Sequence, residues 1–233
     1  MSSRNKKKGR LPAVSVELQR QAQREILSKS SNNPSLEAIL NDPMHLMKEQ
    51  KLDEIETKSV VDGLFPRESR DGLKIWAGDA HSDRTIYPLD QLPEELGMRY
   101  ICPNPIRVSE GSQDFPRTDD NVAAVCNIII EFDDGDLREQ ISRHFYLAGY
   151  RCLKALVFSG NKSLHGWYAP LGDENADIEF QRLGASLGAD KAMFKRSQST
   201  RMPNAIREDG QRQSLLYLRE ICQGGENQES SHD

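Results

Sequence analysis

Two short stretches hold the side chains best suited to chemistry. The first reads "NIIIEFDDG" from Asn127. Residues two apart on a strand share a face. Asn127, Ile129, Glu131 and Asp133 therefore line one face, and Ile128, Ile130 and Phe132 line the other, against a core. Carboxylates side by side at a strand end repel each other, and Mg2+ or Mn2+, which favour oxygen ligands, resolve that conflict. The plainer reading is that Glu131 and Asp133 end the strand in solvent while Asp134 or Asp136 caps the next helix. Both readings stand on these residues alone.

The second stretch is "KALVFSGNKSLHGWYAP", from Lys154. The same alternation puts Ser163 and His165 on one face with Leu164 packed behind, and Trp167 continues the face or covers its rim. Lys162 precedes them, and the turn "SGNK" offers backbone N–H groups. Hydroxyl, imidazole, ammonium and free N–H groups on one surface suit a polyphosphate. A surface hairpin with an incidental histidine is the alternative. A third stretch, 188–218, has Asp190 after a helix end and then Lys195, Arg196, Arg201, Arg207 and Arg212. It reads either as a phosphate-binding strip or as a solvated basic loop. Arg201 is the strongest of these candidates, because Pro203 and Asn204 make a turn directly after it.

The elements that must position these groups follow from pattern. Strands are expected at 73–79 and 98–106, within the apolar run 122–136, at 153–158 and 163–169, and at 213–218. A helix follows Asp134 or Asp136, with Leu137, Ile141, Phe145 and Ala148 on one face and Gly149 at its C′ position. A second helix is expected over 176–187, with Ile178, Leu183 and Leu187 on one side. Upstream, Leu18, Ala22 and Ile26 recur every four residues after Ser15, and another helical stretch begins near Ser35, interrupted at Pro43. The fold class is therefore α/β or α+β with a mixed or antiparallel central sheet. The expected organisation is a disordered basic tail (1–12), a helical N-terminal extension (13–62), a catalytic core (63–222) and a disordered polar tail (223–233).

Composition narrows the classes. The chain has 233 residues, 36% of them hydrophobic and 6% aromatic, which is lean for one packed core and fits unstructured ends. It contains no apolar run of membrane-spanning length, and no apolar stretch follows the basic N-terminus, so a soluble cytoplasmic protein with no membrane partner is expected. Cys102, Cys126, Cys152 and Cys222 lie far apart, with no closely spaced pair. Neither zinc nor disulfides are expected, and the thiols belong in or near the core. A net charge of −5 argues mildly against indiscriminate nucleic-acid binding. The charge is uneven, however: residues 1–30 carry eight Lys/Arg against two Glu, and 191–219 carry seven against two acids.

The ordered set "IIIEFDDG", "VFSGNKSLHGWY" and "D…TRMPNAIR…GQRQSLLYL" resembles the archaeo-eukaryotic primase superfamily, and within it the primase-polymerases of phages, plasmids and other mobile elements. The upstream "YICPNPIR" and "RTDDNVAAV" fit the same family, and the resemblance covers roughly residues 64–218. It implies an α+β catalytic core in which a small mixed module packs beside an RRM-like sheet, with the active site in the cleft between them. It implies template-directed nucleotidyl transfer with two Mg2+ or Mn2+ ions, NTPs or dNTPs as substrates and single-stranded DNA as template. A replicative helicase is the implied partner. Glu131 and Asp133 match the first acidic motif, Asp190 the third, and all three become catalytic metal ligands. Ser163 and His165 match the Ser-x-His motif that contacts nucleotide phosphates, with Lys162 and Arg201 assisting. Lys195, Arg196, Arg207 and Arg212 would track the template.

The chain departs from the family pattern in three places. Glu131 stands where Asp is usual, Ala189 is a weak match before Asp190, and neither a zinc-binding cysteine set nor a fused helicase module is present. Two rival functions remain beside primer synthesis. One is a catalytically silent primase-fold accessory that binds single strands or a replication partner. The other is a metal-dependent nuclease using the same carboxylates.

Overall fold

A computed structural model describes residues 52, 54–65, 72–93, 97–108 and 117–219. The first expected N-terminal helix, most of the second and both tails lie outside these residues; the end of the second, at 52 and 54–55, is turn and bend. In chain order the elements are α1 (Thr57–Leu64), β1 (Lys74–Gly78), β2 (Ile86–Pro88), β3 (Tyr100–Ile101), β4 (Ile128–Phe132), α2 (Leu137–Ala148), β5 (Leu153–Phe158), β6 (Leu164–Tyr168), α3 (Glu174–Ser186), β7 (Thr200–Arg201) and β8 (Leu215–Leu218). The class is mixed α+β.

Instead of one central sheet there are two four-stranded sheets, ordered β2-β1-β3-β7 and β4-β6-β5-β8. Every strand pair in both is antiparallel. The chain does not finish one sheet before starting the other. After α3 it returns to add β7 to the first sheet, where Tyr100 pairs with Arg201 and Ile101 with Thr200. It then goes back to close the second sheet with β8. That excursion brings the Arg201 segment over the face of β4 and β6.

The helices pack on the second sheet. The Asp136 carboxylate caps α2 by accepting from the Glu139 N–H at 2.8 Å. The helix buries Gln140, Ile141, His144 and Leu147. The expected residues Leu137, Phe145 and Ala148 are only partly covered. His144 fits because β6 has a glycine beneath it: a Cβ at Gly166 would sit 2.4 Å from His144 Nδ1. The ring is shared between Tyr168 Oη at 2.9 Å and the Leu164 carbonyl at 3.1 Å. Helix α3 approaches β4 through Gly184, where a Cβ would lie 3.1 Å from Ile130 Cδ1. The exposed side of α3 corrects one expectation, since Ile178 is 37% exposed and the buried line is Phe180, Gly184 and Leu187.

Four other expectations are corrected. The strand expected over 98–106 is only two residues long, because Pro103 and Pro105 remove ladder donors. Gly149 ends α2 in right-handed conformation (φ −68°), so it is not a left-handed C′ glycine. Cys102 and Cys126 are buried free thiols, but Cys152 is exposed. Trp167 is fully buried and does not form a rim.

One buried cluster joins α1, the second sheet and both longer helices. Lys154 ties its parts together: its ammonium donates to the carbonyls of Leu64 (2.9 Å) and Cys126 (3.1 Å) and to Asn127 Oδ1 (2.9 Å). Helix α1 thus straddles the 62/63 boundary expected from the sequence and packs with the core. Among the described residues no helix is long and apolar enough to cross a membrane.

Candidate active site between the two sheets

The antiparallel register of β4 and β6 sets Glu131 directly across from His165. Both face the first sheet. The turn before β6 is clamped from three sides. Ser159 and Ser163 exchange bonds, with the Ser159 N–H donating to the Ser163 carbonyl (2.8 Å) and the Ser163 N–H to Ser159 Oγ (3.1 Å). Arg207 Nη1 donates to the Ser159 carbonyl at 2.9 Å, and Gln140 Nε2 to the Lys162 carbonyl at 2.8 Å. Gly160 turns the chain at φ +80°, and a Cβ there would meet the Arg212 carbonyl oxygen at 2.7 Å. The result is a fixed hairpin that points Lys162 outward and Ser163 and His165 inward.

His165 has both ring nitrogens engaged. Nε2 is 3.3 Å from Ser163 Oγ and 3.7 Å from Glu131 Oε1. Nδ1 is 3.0 Å from Thr200 Oγ1, a contact that joins the two sheets. Burial, with Arg201 and then His144 adding to it, pushes the imidazole pKa down to about 3, so the ring is neutral. Arg201 lies over the Tyr100 ring at 4.7 Å, and its charge acts on both His165 and Glu131.

The other two expected carboxylates, Asp133 and Asp190, both act on Glu131. Strand β4 is an edge strand, and its Glu131 carbonyl accepts the Asp190 N–H at 2.9 Å, which brings the turn after α3 alongside. Burial raises the Glu131 pKa. Asp190 and Asp133 raise it further, while the Ser163 hydroxyl and Arg201 offset part of the rise. Asp133 is paired with Lys162 (2.9 Å), and the Asp190 carboxylate accepts from the Ala192 N–H at 2.9 Å. Among the described residues no three His, Cys, Asp or Glu side chains close on one point as a finished metal cage. The chemistry of the donor set still fits a hard divalent cation. Asp133 and Asp190 both repel the Glu131 carboxylate, and the neutral histidine across the ladder brings no competing charge.

The expected template contacts stand in two places. Lys195 and Arg196 follow a 3-10 turn (Lys191–Phe194) and line a cleft of about 620 Å3. Its floor includes Ile129, two residues before Glu131, but not Glu131 or His165. Arg196 is paired with Glu174. Arg207, which pairs with Asp209 at 3.3 Å, and Arg212 belong to the hairpin that braces the Gly160 turn. Arg207 is thus engaged structurally. Trp167 and Tyr168 are enclosed in the core, so neither offers a stacking face.

Sequence reasoning brought seven residues to one site: Glu131, Asp133, Lys162, Ser163, His165, Asp190 and Arg201. It missed Thr200, which fixes the imidazole, and Tyr100, which supports Arg201. Thr200 had a signal only in its position next to Arg201. The chain matches no family model, and neither a curated protein nor a solved structure is significantly similar to it.

Proposed function

We propose that the protein is a DNA primase or primase-polymerase that builds short primers on single-stranded DNA by template-directed nucleotidyl transfer, in the replication of a mobile element. The observation that carries this reading is the Glu131–His165 register across β4 and β6, with Ser163, Asp133, Asp190 and Arg201 converging on the same pair. Leaving aside β7, which joins the first sheet, the elements from β4 to β8 follow the β–α–β–β–α–β order of an RRM-like unit, with the difference that β8 pairs with β5 and not with β4.

Glu131, Asp133 and Asp190 would hold Mg2+ or Mn2+, which when bound there stabilise charge at the α-phosphate and ease deprotonation of the attacking hydroxyl. The chain's own groups have separate tasks. Lys162 is exposed and its pairing with Asp133 lies at the surface, so it can exchange that carboxylate for a phosphate. Arg201, placed over the Tyr100 ring, presents a guanidinium fork suited to phosphate oxygens. His165 is neutral and locked on both nitrogens, so its task is to fix Ser163, Glu131 and Thr200 relative to one another. Lys195 and Arg196 border a cleft that starts two residues from Glu131 and suits a strand of template, with salt-sensitive and largely sequence-independent contacts.

A second reading has one specific observation in its favour. The Lys162 ammonium and the Ala192 N–H engage two of the three carboxylates, as a silent accessory that binds single strands or a helicase would allow. Primer synthesis on circular single-stranded DNA, with Mg2+ or Mn2+ and labelled NTPs or dNTPs, separates the two. The enzymatic reading expects short metal-dependent products that Asp133→Ala abolishes. Salt-sensitive DNA binding with no product under either metal favours the accessory.

A further inference from the structure

The β1–β2 turn carries a group that the site described so far does not use. Its two carboxylates are committed locally: Asp83 accepts from the N–H groups of Asp79 (2.7 Å) and Ala80 (2.9 Å), and Asp79 binds Arg99. Trp76 Nε1 donates to the Asp83 carbonyl at 2.7 Å and fixes the turn to β1. Between them His81 projects toward β7. Its ring lies against Tyr100 at 4.6 Å between centroids, and its Nδ1 is 2.9 Å from Ser199 Oγ. Its Nε2 has no hydrogen bond among the described residues.

Arg201 occupies the same neighbourhood. Ser199 and Arg201 are two apart, so they share a face, and both His81 and Arg201 pack on the one Tyr100 ring. The Arg201 guanidinium is half-buried and has neither a hydrogen bond nor a carboxylate within ion-pair distance among the described residues. Arg117 adds a second guanidinium, donating to the carbonyls of His81 (3.2 Å) and Ser197 (3.0 Å). Burial, then Arg117 and Arg201, lower the His81 pKa, and no carboxylate opposes them. Two positioned donors, neither of them in an ion pair among the described residues, pack on the Tyr100 ring and suit an anion.

We propose that His81 and Arg201 together bind the β- and γ-phosphates of the incoming nucleoside triphosphate, His81 through Nε2–H from the first sheet. This inference rests on the nucleotidyl-transfer reading. The triphosphate is preferred over a template phosphodiester because Thr200, the neighbour of Arg201, engages His165 Nδ1 at 3.0 Å and His165 stands opposite Glu131 in the ladder, so this segment borders the carboxylates.

The test is equilibrium binding to the full-length protein with Mg2+, using inorganic tripolyphosphate, a nucleoside triphosphate, adenosine and an oligothymidylate as separate probes. His81→Ala and Arg201→Ala should each weaken tripolyphosphate and nucleoside triphosphate about five- to tenfold, as expected for loss of a phosphate hydrogen bond. Adenosine and oligothymidylate binding should not change. Ser199→Ala, which frees the ring without deleting it, should give a smaller loss of the same kind, and all three variants should melt cooperatively like wild type. Wild-type triphosphate affinity in His81→Ala overturns the inference and leaves the nucleotidyl-transfer reading intact. Loss of oligothymidylate alone also overturns it, by identifying a template contact. Failure of the wild type to bind any triphosphate overturns both.

Discussion

Glu131 and His165 face each other across the β4–β6 ladder with 3.7 Å between Oε1 and Nε2, yet they are not an ion pair. Burial holds the imidazole neutral and raises the carboxyl above its ordinary range. The folded chain therefore binds the Glu131 proton more tightly than the unfolded chain does. Its contribution to stability is fully present below the ordinary glutamate pKa and is lost as pH rises through the raised value. Glu131→Gln removes that cost, so it should stabilise the protein at neutral pH by on the order of 1 kcal/mol. It should also abolish primer synthesis. Urea denaturation at several pH values checks the first effect: the gain should shrink as pH falls. A variant less stable than wild type at neutral pH would mean that Glu131 is held by a partner stronger than its burial.

Asp133 and Lys162 make the complementary case, an exposed pair at the mouth of the same site. Such pairs add little to folding. Lys162→Ala should therefore leave the melting temperature unchanged while freeing Asp133 for a cation. Mn2+ binding, followed by the paramagnetic signal of free Mn2+, should tighten by up to about fivefold. Nucleotide binding should weaken. If Mn2+ affinity falls instead, Lys162 helps to form the cation site and does not compete for it.

The second sheet was largely legible because β4 and β6 are each five residues long, enough for the shared face of Glu131 and His165 to follow from period two. Of the first sheet, β1 was expected, at 73–79, and β3 only as part of a longer strand over 98–106; the rest was not. Strands β3 and β7 are two residues each, too short to have a period, and their pairing depends on a chain return over about a hundred residues. That is why Thr200, Tyr100 and His81 escaped notice. On α3 the reading counted bulky residues, whereas the close approach to β4 is made by Gly184, whose lack of a side chain is what permits contact. Trp167 was placed on the correct face, but alternation does not say that a second layer covers that face.

Thr200 gives the first-sheet contribution a direct test. It is 1% exposed, and its hydroxyl engages His165 Nδ1 at 3.0 Å. Thr200→Val keeps the shape and deletes the bond, leaving a buried ring nitrogen unpaired. It should cost about 1–3 kcal/mol in denaturant unfolding. It should also reduce kcat more than it raises KM for nucleotide, because the imidazole orients the site and does not itself bind phosphate. Equal loss in a His165→Phe background would mean that the two residues do not interact.

Gly166 tests the packing behind the site. It lies between His165 and Trp167 on β6, and its missing side chain makes room for the His144 ring: a Cβ would fall 2.4 Å from Nδ1 and 2.8 Å from Tyr168 Cε2. Both rings are fully buried and bonded to each other, so neither can turn aside without breaking the Tyr168–His144 contact. Gly166→Ala should therefore destabilise the fold by about 1–3 kcal/mol, although alanine suits a strand better than glycine. The double variant Gly166→Ala/His144→Ala, with the ring removed, should cost less than the sum of the two single changes. Strict additivity in that cycle would show that β6 and α2 are not in the contact described, and the helix would then have no part in setting the position of His165.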